Sequence, residues 1–186
     1  MTILHNSKSA NVFNFLAMNR VITQISRPVK TGDAKKVRYL FISNAAFLTF
    51  FSQLNENDVK YLTIGSLAIA YHGVIMLSDH LEIWVDSEKE NIRKIEDIVN
   101  KKFTNNQNEM DITINSLGEQ FFLRVYRRLN YFPAKKFNWC YVKCETSVAS
   151  GISLPILSLD DLIVEKTASN DPADVEIVEA LENMSW

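Results

Sequence analysis

The stretch from Tyr61 to Asp86, YLTIGSLAIAYHGVIMLSDHLEIWVD, constrains the fold of this chain more than any other. Its first four residues form an apolar run of strand length, which Gly65 and Ser66 then break. Helical composition follows, and Gly73 is placed to end a short helix. A second β-rich run carries Glu82 between apolar neighbours. Because burying an unpaired carboxylate is costly, this strand needs a partner for Glu82.

Length and composition favour one domain with a real hydrophobic core. The chain has 186 residues, of which 47% are hydrophobic, and its net charge is −2. No run approaches the ~20 apolar residues that span a membrane, and residues 1–20 lack the features of a signal peptide. Cys140 and Cys144 have a spacing that would place them on one face of a strand, too far apart for a comfortable disulfide. We therefore expect a reducing, cytoplasmic location.

Charge is distributed unevenly along the chain. Residues 1–38 contain only Asp33 as an acid but seven bases: Lys8, Arg20, Arg27, Lys30, Lys35, Lys36 and Arg38. We interpret them as a basic arm with one possible helix over Asn11–Ile25, ahead of a domain at residues 39–186. Such an arm could contact RNA or an acidic partner, or it could simply aid solubility or pack on its own acidic body.

Hydrophobic periodicity and capping signals predict alternating helices and strands. Capping-box spacing occurs at Ser87 with Glu90 and at Ser116 with Glu119. Helices are expected from about Asn44 to Leu54, Glu88 to Lys101, Gly118 to Leu129, Ser158 to Ser169 and Asp171 to Asn183. Further strands are expected at Met110–Asn115, Trp139–Thr146 and Ser153–Leu157. This order predicts an α/β (α+β) fold with a small mixed sheet flanked by helices.

Three side chains could meet beside the Gly65-Ser66 turn. His80 and Glu82 share one face of a strand, and the next predicted strand offers Asp111. Carboxylates clustered on strands bind divalent metal ions, and a turn at a helix N-terminus suits phosphate. A metal next to a phosphate indicates phosphoryl or nucleotidyl transfer.

Three segments resemble the polymerase-β-like nucleotidyltransferase superfamily, in particular its small bacterial members. NENDVKYLTIGSLAIAYHG is similar to their opening pattern, and MDITINSLGEQFFLRVYRR is similar to their third acidic strand with the helix after it. LPILSLDDLIVEKTASNDPADVEIVEAL resembles their C-terminal helices. The resemblance covers about Phe41 to Leu181, and it implies a nucleotidyltransferase fold.

The resemblance also implies roles for individual residues. Gly65 and Ser66 would hold the triphosphate of an NTP, together with Lys166. His80, Glu82 and Asp111 would hold Mg²⁺ or Mn²⁺, with Glu82 and Asp111 acting in catalysis. The reaction would move NMP from the NTP to a hydroxyl or RNA acceptor, and many small bacterial members belong to toxin–antitoxin pairs with a cognate protein partner.

This chain departs from the superfamily pattern where that pattern carries charge. His80 and Glu82 replace the two Asp residues of the metal strand. Further departures are Met76 for Arg, Ser78 for Thr, Asp171 for Arg, Ala173 for Lys and Ile177 for Asp. Histidine removes a negative charge beside the metal and suits Zn²⁺ or Mn²⁺ better than Mg²⁺. Two functions therefore stay open: a degenerate site that retains nucleotide, phosphate or partner binding, or an active metal-dependent enzyme.

Overall fold

The computed structural model describes residues 38–39, 44–74, 80–104, 107–116, 119–129, 136–169 and 171–184. The predicted basic arm and its helix lie outside these ranges, apart from Arg38. The strands are β1 (Arg38–Tyr39), β2 (Tyr61–Thr63), β3 (His80–Val85), β4 (Glu109–Ser116), β5 (Glu119–Tyr126), β6 (Glu145–Ala149) and β7 (Ile152–Ile156). The helices are α1 (Ala45–Glu56), α2 (Gly65–Tyr71), α3 (Lys89–Val99), α4 (Phe137–Lys143), α5 (Leu159–Ser169) and α6 (Pro172–Glu182).

The described strands form one mixed sheet in the order β1-β6-β7-β2-β3-β5-β4. β2 lies near its centre, antiparallel to β3 and parallel to β7. β3 runs parallel to β5, which pairs on its other side with β4 in an antiparallel hairpin. This sheet with flanking helices confirms the predicted fold class.

The two faces of β3 and β5 differ in polarity because side chains alternate along a strand. On the inner face, Leu81 and Ile83 are buried beside the apolar residues of β5. Phe47 of α1 stacks on Phe121 of β5 with 4.3 Å between ring centroids. Each such buried side chain contributes roughly 1.5–3 kcal/mol. The inner face therefore anchors the strands, and the opposite face presents Glu82.

Several predicted helix starts are confirmed by their caps. Asn44 Oδ1 accepts a hydrogen bond from Phe47 N at 3.0 Å and begins α1. Asp171 Oδ1 accepts from Ala173 N at 2.9 Å and begins α6, with Pro172 as its first residue. None of the described helices has the length and apolar character that crossing a membrane requires.

The capping box predicted at Ser87 and Glu90 is wrong. The N-cap of α3 is Glu88, and its side chain makes no capping hydrogen bond. Glu90 instead binds Arg93 at 2.7 Å on the same helix. The first turn of α3 thus uses an exposed i,i+3 ion pair in place of a reciprocal cap.

The helix predicted over Gly118–Leu129 is also wrong, because β5 occupies Glu119–Tyr126. Phe121, Leu123 and Val125 are all buried, so burial has the period of two that a strand requires. Pairing with β3 and β4 on both sides outweighs the local capping-box signal.

The strand predicted at Trp139–Thr146 is wrong over most of its length. Residues Phe137–Lys143 form α4, and β6 starts only at Glu145. Cys140 is buried on this helix and Cys144 is its C-cap, so the expected strand face with both cysteines does not exist. Neither cysteine forms a disulfide. Trp139 is 64% exposed and lies outside the core, although a tryptophan is expected to be buried.

Candidate functional site

Glu82, the carboxylate inside the apolar strand, is half-buried and has two neighbours that explain it. Tyr126 of β5 donates its hydroxyl to Glu82 Oε1 at 3.2 Å. A Cβ added to Gly65 would lie 1.7 Å from Glu82 Oε2. Gly65 also has a left-handed backbone with φ of 60°. Glycine is therefore required at the start of α2 because the Glu82 carboxylate fills the space beside it.

Arg124 of β5 stands between the two predicted catalytic carboxylates. It is the register partner of Glu82 on β3 and also of Asp111 on β4. Register partners place their side chains on the same face of a sheet, so the three form a row. The sequence predicts that Asp111 lies on the strand next to that of Glu82 in the sheet, and this prediction is wrong, since β5 lies between the two strands.

The guanidinium of Arg124 binds the carboxylate of Asp111 in a bidentate arrangement. Arg124 Nε donates to Oδ1 at 2.5 Å, and Nη2 donates to Oδ2 at 3.0 Å. This hydrogen bond lowers the pKa of Asp111, while burial acts in the opposite direction. It also raises the pKa of Arg124, with a further contribution from a hydrogen bond to Tyr126. Asp111 is thus kept anionic by an internal cation.

His80 lies apart from Glu82, at the exposed start of β3. Its ring stacks on Phe122 with 5.4 Å between centroids. It shares a shallow pocket of about 170 Å³ with Asp111 and Arg124, and Glu82 does not line that pocket. Within the described ranges, no three His, Cys, Asp or Glu side chains are grouped so that they could hold a metal ion. The structure therefore does not bring the predicted ligands His80, Glu82 and Asp111 together.

A larger cleft of about 680 Å³ lies on the Glu82 side. It joins the outer face of the sheet to α5, α6 and the turn between them. Its described lining includes the following polar and charged residues: Glu82, Glu109, Arg124, Tyr126, Glu165, Lys166, Ser169, Asp171 and Asp174. Gly65 also lines this cleft, whereas Ser66 is half-buried in the first turn of α2 and is not part of the described lining.

Lys166 lies in the cleft wall within reach of two carboxylates. Its Nζ is 3.5 Å from Asp174 Oδ1 and 3.6 Å from Glu165 Oε2. Burial opposes the positive charge, but Glu165, Asp174 and Glu82 together outweigh it and raise the pKa of Lys166. Ser169 donates its hydroxyl to Asp174 Oδ2 at 2.6 Å and so fixes one of these carboxylates.

Glu165 is the most deeply placed carboxylate of the cleft, with 8% of its surface exposed. Its Oε2 accepts no short hydrogen bond from a described residue, and its partner is the ammonium group of Lys166, with which it forms an ion pair at 3.6 Å. Burial raises the pKa of Glu165, Lys166 opposes the rise, and the charges of Asp174 and Glu82 add to it.

Sequence reasoning missed Arg124, Tyr126 and Glu165. Arg124 and Tyr126 fall in a segment for which a helix is predicted. The alternation of apolar residues from Phe121 to Val125 is a strand signal, and a strand at this position would place both residues on the polar face of the sheet. Glu165 precedes the predicted Lys166, but nothing in its local sequence distinguishes a buried glutamate from a solvated one.

Comparison with solved structures shows a fold similar to that of nucleotidyltransferases, as the sequence resemblance implies. The lincosamide antibiotic adenylyltransferase LnuA, solved with lincomycin bound, aligns with a TM-score of 0.51 and 13% identity over 77% of this chain and 98% of LnuA. At that identity the likeness extends to the fold alone.

Two further solved structures each align with a TM-score of 0.47. One is a Thermotoga maritima protein provisionally described as a nucleotidyltransferase, with 20% identity over 74% of this chain and 88% of its own. The other is ANT(2″)-Ia in complex with adenylyl-2″-tobramycin, with 14% identity over 75% of this chain and 93% of its own. No family model and no curated protein matches the sequence.

Proposed function

We propose that this protein is a nucleotidyltransferase-fold domain that has lost metal-dependent nucleotidyl transfer and retains the capacity to bind a nucleotide, a phosphate or a partner. The observation that carries this proposal is the position of Arg124, which faces Glu82 in the β3–β5 register and binds Asp111. The positively charged guanidinium of Arg124 therefore lies between the two carboxylates that would have to bind a metal ion together for nucleotidyl transfer.

The residues present do not fit Mg²⁺ or Mn²⁺. Both ions need several oxygen ligands around one point. Glu82 and Asp111 lie on strands that are not neighbours, and a divalent cation between them would be repelled by Arg124. His80 lies two residues before Glu82 on β3 and offers one nitrogen, beside Phe122 of β5.

Nucleotide binding by Gly65, Ser66 and Lys166 stays a prediction, and the surroundings of these residues oppose a triphosphate. The Glu82 carboxylate lies against Gly65, and two carboxylates lie near the Lys166 ammonium. Without a metal ion, a triphosphate bound between Gly65 and Lys166 would be repelled by the Glu82 carboxylate at one end and by the two carboxylates near Lys166 at the other.

Active nucleotidyl transfer is the alternative, and the fold likeness to LnuA is what favours it. It requires Mg²⁺ or Mn²⁺ and a rearrangement that withdraws Arg124 from Asp111. A cognate protein partner, RNA binding through the basic arm, a toxin–antitoxin role and cytoplasmic location are further parts of the proposal that rest on sequence alone.

The deciding experiment measures transfer and metal binding on the full chain. We expect no label from α-phosphate-labelled NTPs on RNA, protein or hydroxyl acceptors with Mg²⁺ or Mn²⁺. Calorimetric titration with Mn²⁺ should give no saturable binding in the wild type and measurable binding in Arg124→Ala, which frees Asp111. Arg93→Ala, which removes an exposed arginine of α3, is the matched control and should behave as the wild type.

Metal-dependent labelling by the wild type would overturn the proposal. Saturable Mn²⁺ binding by the wild type at the same affinity as Arg124→Ala would show that Arg124 does not exclude metal. His80→Asp alone is expected to leave Mn²⁺ binding unchanged, because Arg124 still separates Glu82 from Asp111.

A further inference from the structure

The helix α4 packs on the rest of the domain through one side only. Phe137 and Cys140 are buried, and the Phe137 ring meets that of Trp84 edge-on with 5.3 Å between centroids. On the opposite side, Trp139 is 64% exposed and Val142 is 85% exposed. These two are three positions apart and are therefore neighbours on the helix surface. Because tryptophan is highly buried on average, this apolar pair indicates a surface that another segment covers.

The chain that precedes β1 is joined to the sheet next to α4. β1 runs parallel to β6, with Arg38 opposite Ser147, so both strands begin at the same end of the sheet. β6 starts at Glu145, directly after Cys144, the C-cap of α4. Paired strands are about 4.8 Å apart. The peptide bond that joins Arg38 to the preceding residues therefore lies close to the end of α4 that carries Val142.

Residues 11–25, which lie outside the described ranges, have an apolar pattern that matches this surface. Phe15, Met18, Ile22 and Ile25 recur at spacings of three, four and three residues. This spacing places side chains on one face of a helix. A helix of this length is marginal in water by itself, because most helical stability comes from packing of the apolar face. The pattern therefore predicts that these four side chains pack on another apolar surface.

The linker between this pattern and β1 is long enough to bring the two surfaces together. Twelve residues, 26–37, separate Ile25 from Arg38. Twelve extended residues can span about 40 Å, whereas α4, with its seven residues, is about 10 Å long. A flexible linker also gives the attached segment an effective concentration on the order of millimolar at a surface within its reach. The attached segment therefore has an advantage over any dilute partner from solution.

We propose that residues 11–25 form a helix that packs Phe15, Met18, Ile22 and Ile25 across α4, on Trp139 and Val142. The occupant of this surface is thus a segment of the chain itself. The contact is apolar, so it needs no acidic residue on α4. The proposal is independent of whether the site at Glu82 transfers nucleotides.

The first test labels the full chain with 5-fluorotryptophan and measures how strongly a dissolved gadolinium chelate broadens the fluorine signal of Trp139. Loss of the signal in Trp139→Phe assigns it. In the wild type the broadening should be as small as that of the buried Trp84. Ile22→Asp places a charge on the apolar face and should increase the broadening several-fold. Gln24→Asp adds the same charge on the other side of the predicted helix and should behave as the wild type.

The second test is reciprocal and leaves residues 11–25 unchanged. Trp139→Ala removes the larger half of the docking surface, so trypsin should cleave the full chain after Arg20 several-fold faster than in the wild type. Asn138→Ala, at an exposed neighbour on the same helix, is the matched control and should be cleaved at the wild-type rate. This test decides the matter if the Trp84 signal shows that Ile22→Asp disturbs the sheet.

A Trp139 signal that the chelate broadens equally in the wild type and in Ile22→Asp would overturn the proposal. Equal cleavage after Arg20 in the wild type, Trp139→Ala and Asn138→Ala would do so as well. Broadening that falls with rising protein concentration, to the same extent in the wild type and in Ile22→Asp, would assign the surface to a second copy and would also overturn it. None of these measurements includes a nucleotide, so their failure is distinct from a failure of the proposed function.

Discussion

Arg124 and Asp111 face each other across the β4–β5 hairpin and are joined by two hydrogen bonds, of 2.5 and 3.0 Å. The same arginine is the register partner of Glu82 on its other side. The charge in the row is therefore arranged as carboxylate, guanidinium, carboxylate. Such a row stabilises itself without an added cation.

The first prediction concerns the pKa of Asp111. Arg124→Ala removes the hydrogen bond that lowers this pKa, so the pKa should rise toward the ordinary value of about 3.9. Carboxyl NMR titration measures the change directly. In the wild type, the stability contributed by the lowered pKa is present above the unfolded-state pKa and is lost as pH falls through the folded-state pKa. Because the Asp111 side chain is 64% exposed, that contribution should be about 0–1 kcal/mol.

Arg93→Ala is the control for this titration, because it removes an arginine on α3 that pairs with Glu90 and Asp97. The pKa of Asp111 should not change in this variant. An Asp111 pKa that is the same in Arg124→Ala and in the wild type would contradict the assigned hydrogen bond.

The second prediction concerns Gly65. In Gly65→Ala the new Cβ must displace the Glu82 carboxylate, which breaks the hydrogen bond from Tyr126. Gly151→Ala is the matched control, because Gly151 also has positive φ but has no atom within 4 Å of an added Cβ. Chemical denaturation should show Gly65→Ala to be about 1 kcal/mol less stable than Gly151→Ala. The difference should shrink in a Glu82→Ala background, and a difference that persists there would place the steric conflict elsewhere.

The third prediction concerns Asn91, a buried residue of α3 that fixes the ends of β2 and β3. Its Oδ1 accepts from Lys60 N at 2.8 Å, and its Nδ2 donates to the carbonyl oxygens of Lys60 and Asp86, both at 3.0 Å. Asn91→Ala should lower the free energy of unfolding by about 2–3 kcal/mol, because three hydrogen bonds are lost together. Asn183→Ala loses one exposed bond to Glu179 O and should cost far less. Equal costs for the two variants would show that Asn91 does not support the strands.

The fourth prediction concerns the pH dependence of stability. Glu165 has a raised pKa in the folded protein, chiefly through burial. Its contribution to stability is fully present below the unfolded-state pKa of about 4.3 and is lost as pH rises through the raised folded-state value. Glu165→Gln cannot ionise, so its unfolding free energy should fall less than that of the wild type across this window. Glu176→Gln should follow the wild type, and parallel profiles for all three proteins would contradict the raised pKa.

The sequence was sufficient for the elements that carry strong local signals. Asn44 and Asp171 cap the helices that follow them, and the apolar run at Tyr61 is a buried strand. The segment after Ser116 could not be assigned in this way, because its capping-box spacing competes with apolar alternation from Phe121 onward. Pairing with two neighbouring strands decides that competition, and such pairing is a property of the whole sheet.

The candidate site was predicted less well than the fold because it depends on which strands are neighbours. His80, Glu82 and Asp111 do share one face, as alternation requires. However, the second strand of the hairpin, β5, inserts between β3 and β4, so Arg124 lies between Glu82 and Asp111. Local sequence cannot report this order, since both hairpin strands have the same alternating pattern.

The pairing of Thr63 with Ile156 has a consequence for how the protein is made. It joins β2 to a strand more than ninety residues later in the chain, and proteins dominated by such distant pairings fold slowly. During synthesis, the early strands leave the ribosome well before β7 exists, with one edge of β2 still unpaired. Closure of the sheet waits for the last third of the chain, which also brings Glu165 and Lys166 into the cleft. A nascent chain stopped before Ile156 therefore has neither a complete sheet nor the C-terminal wall of the cleft.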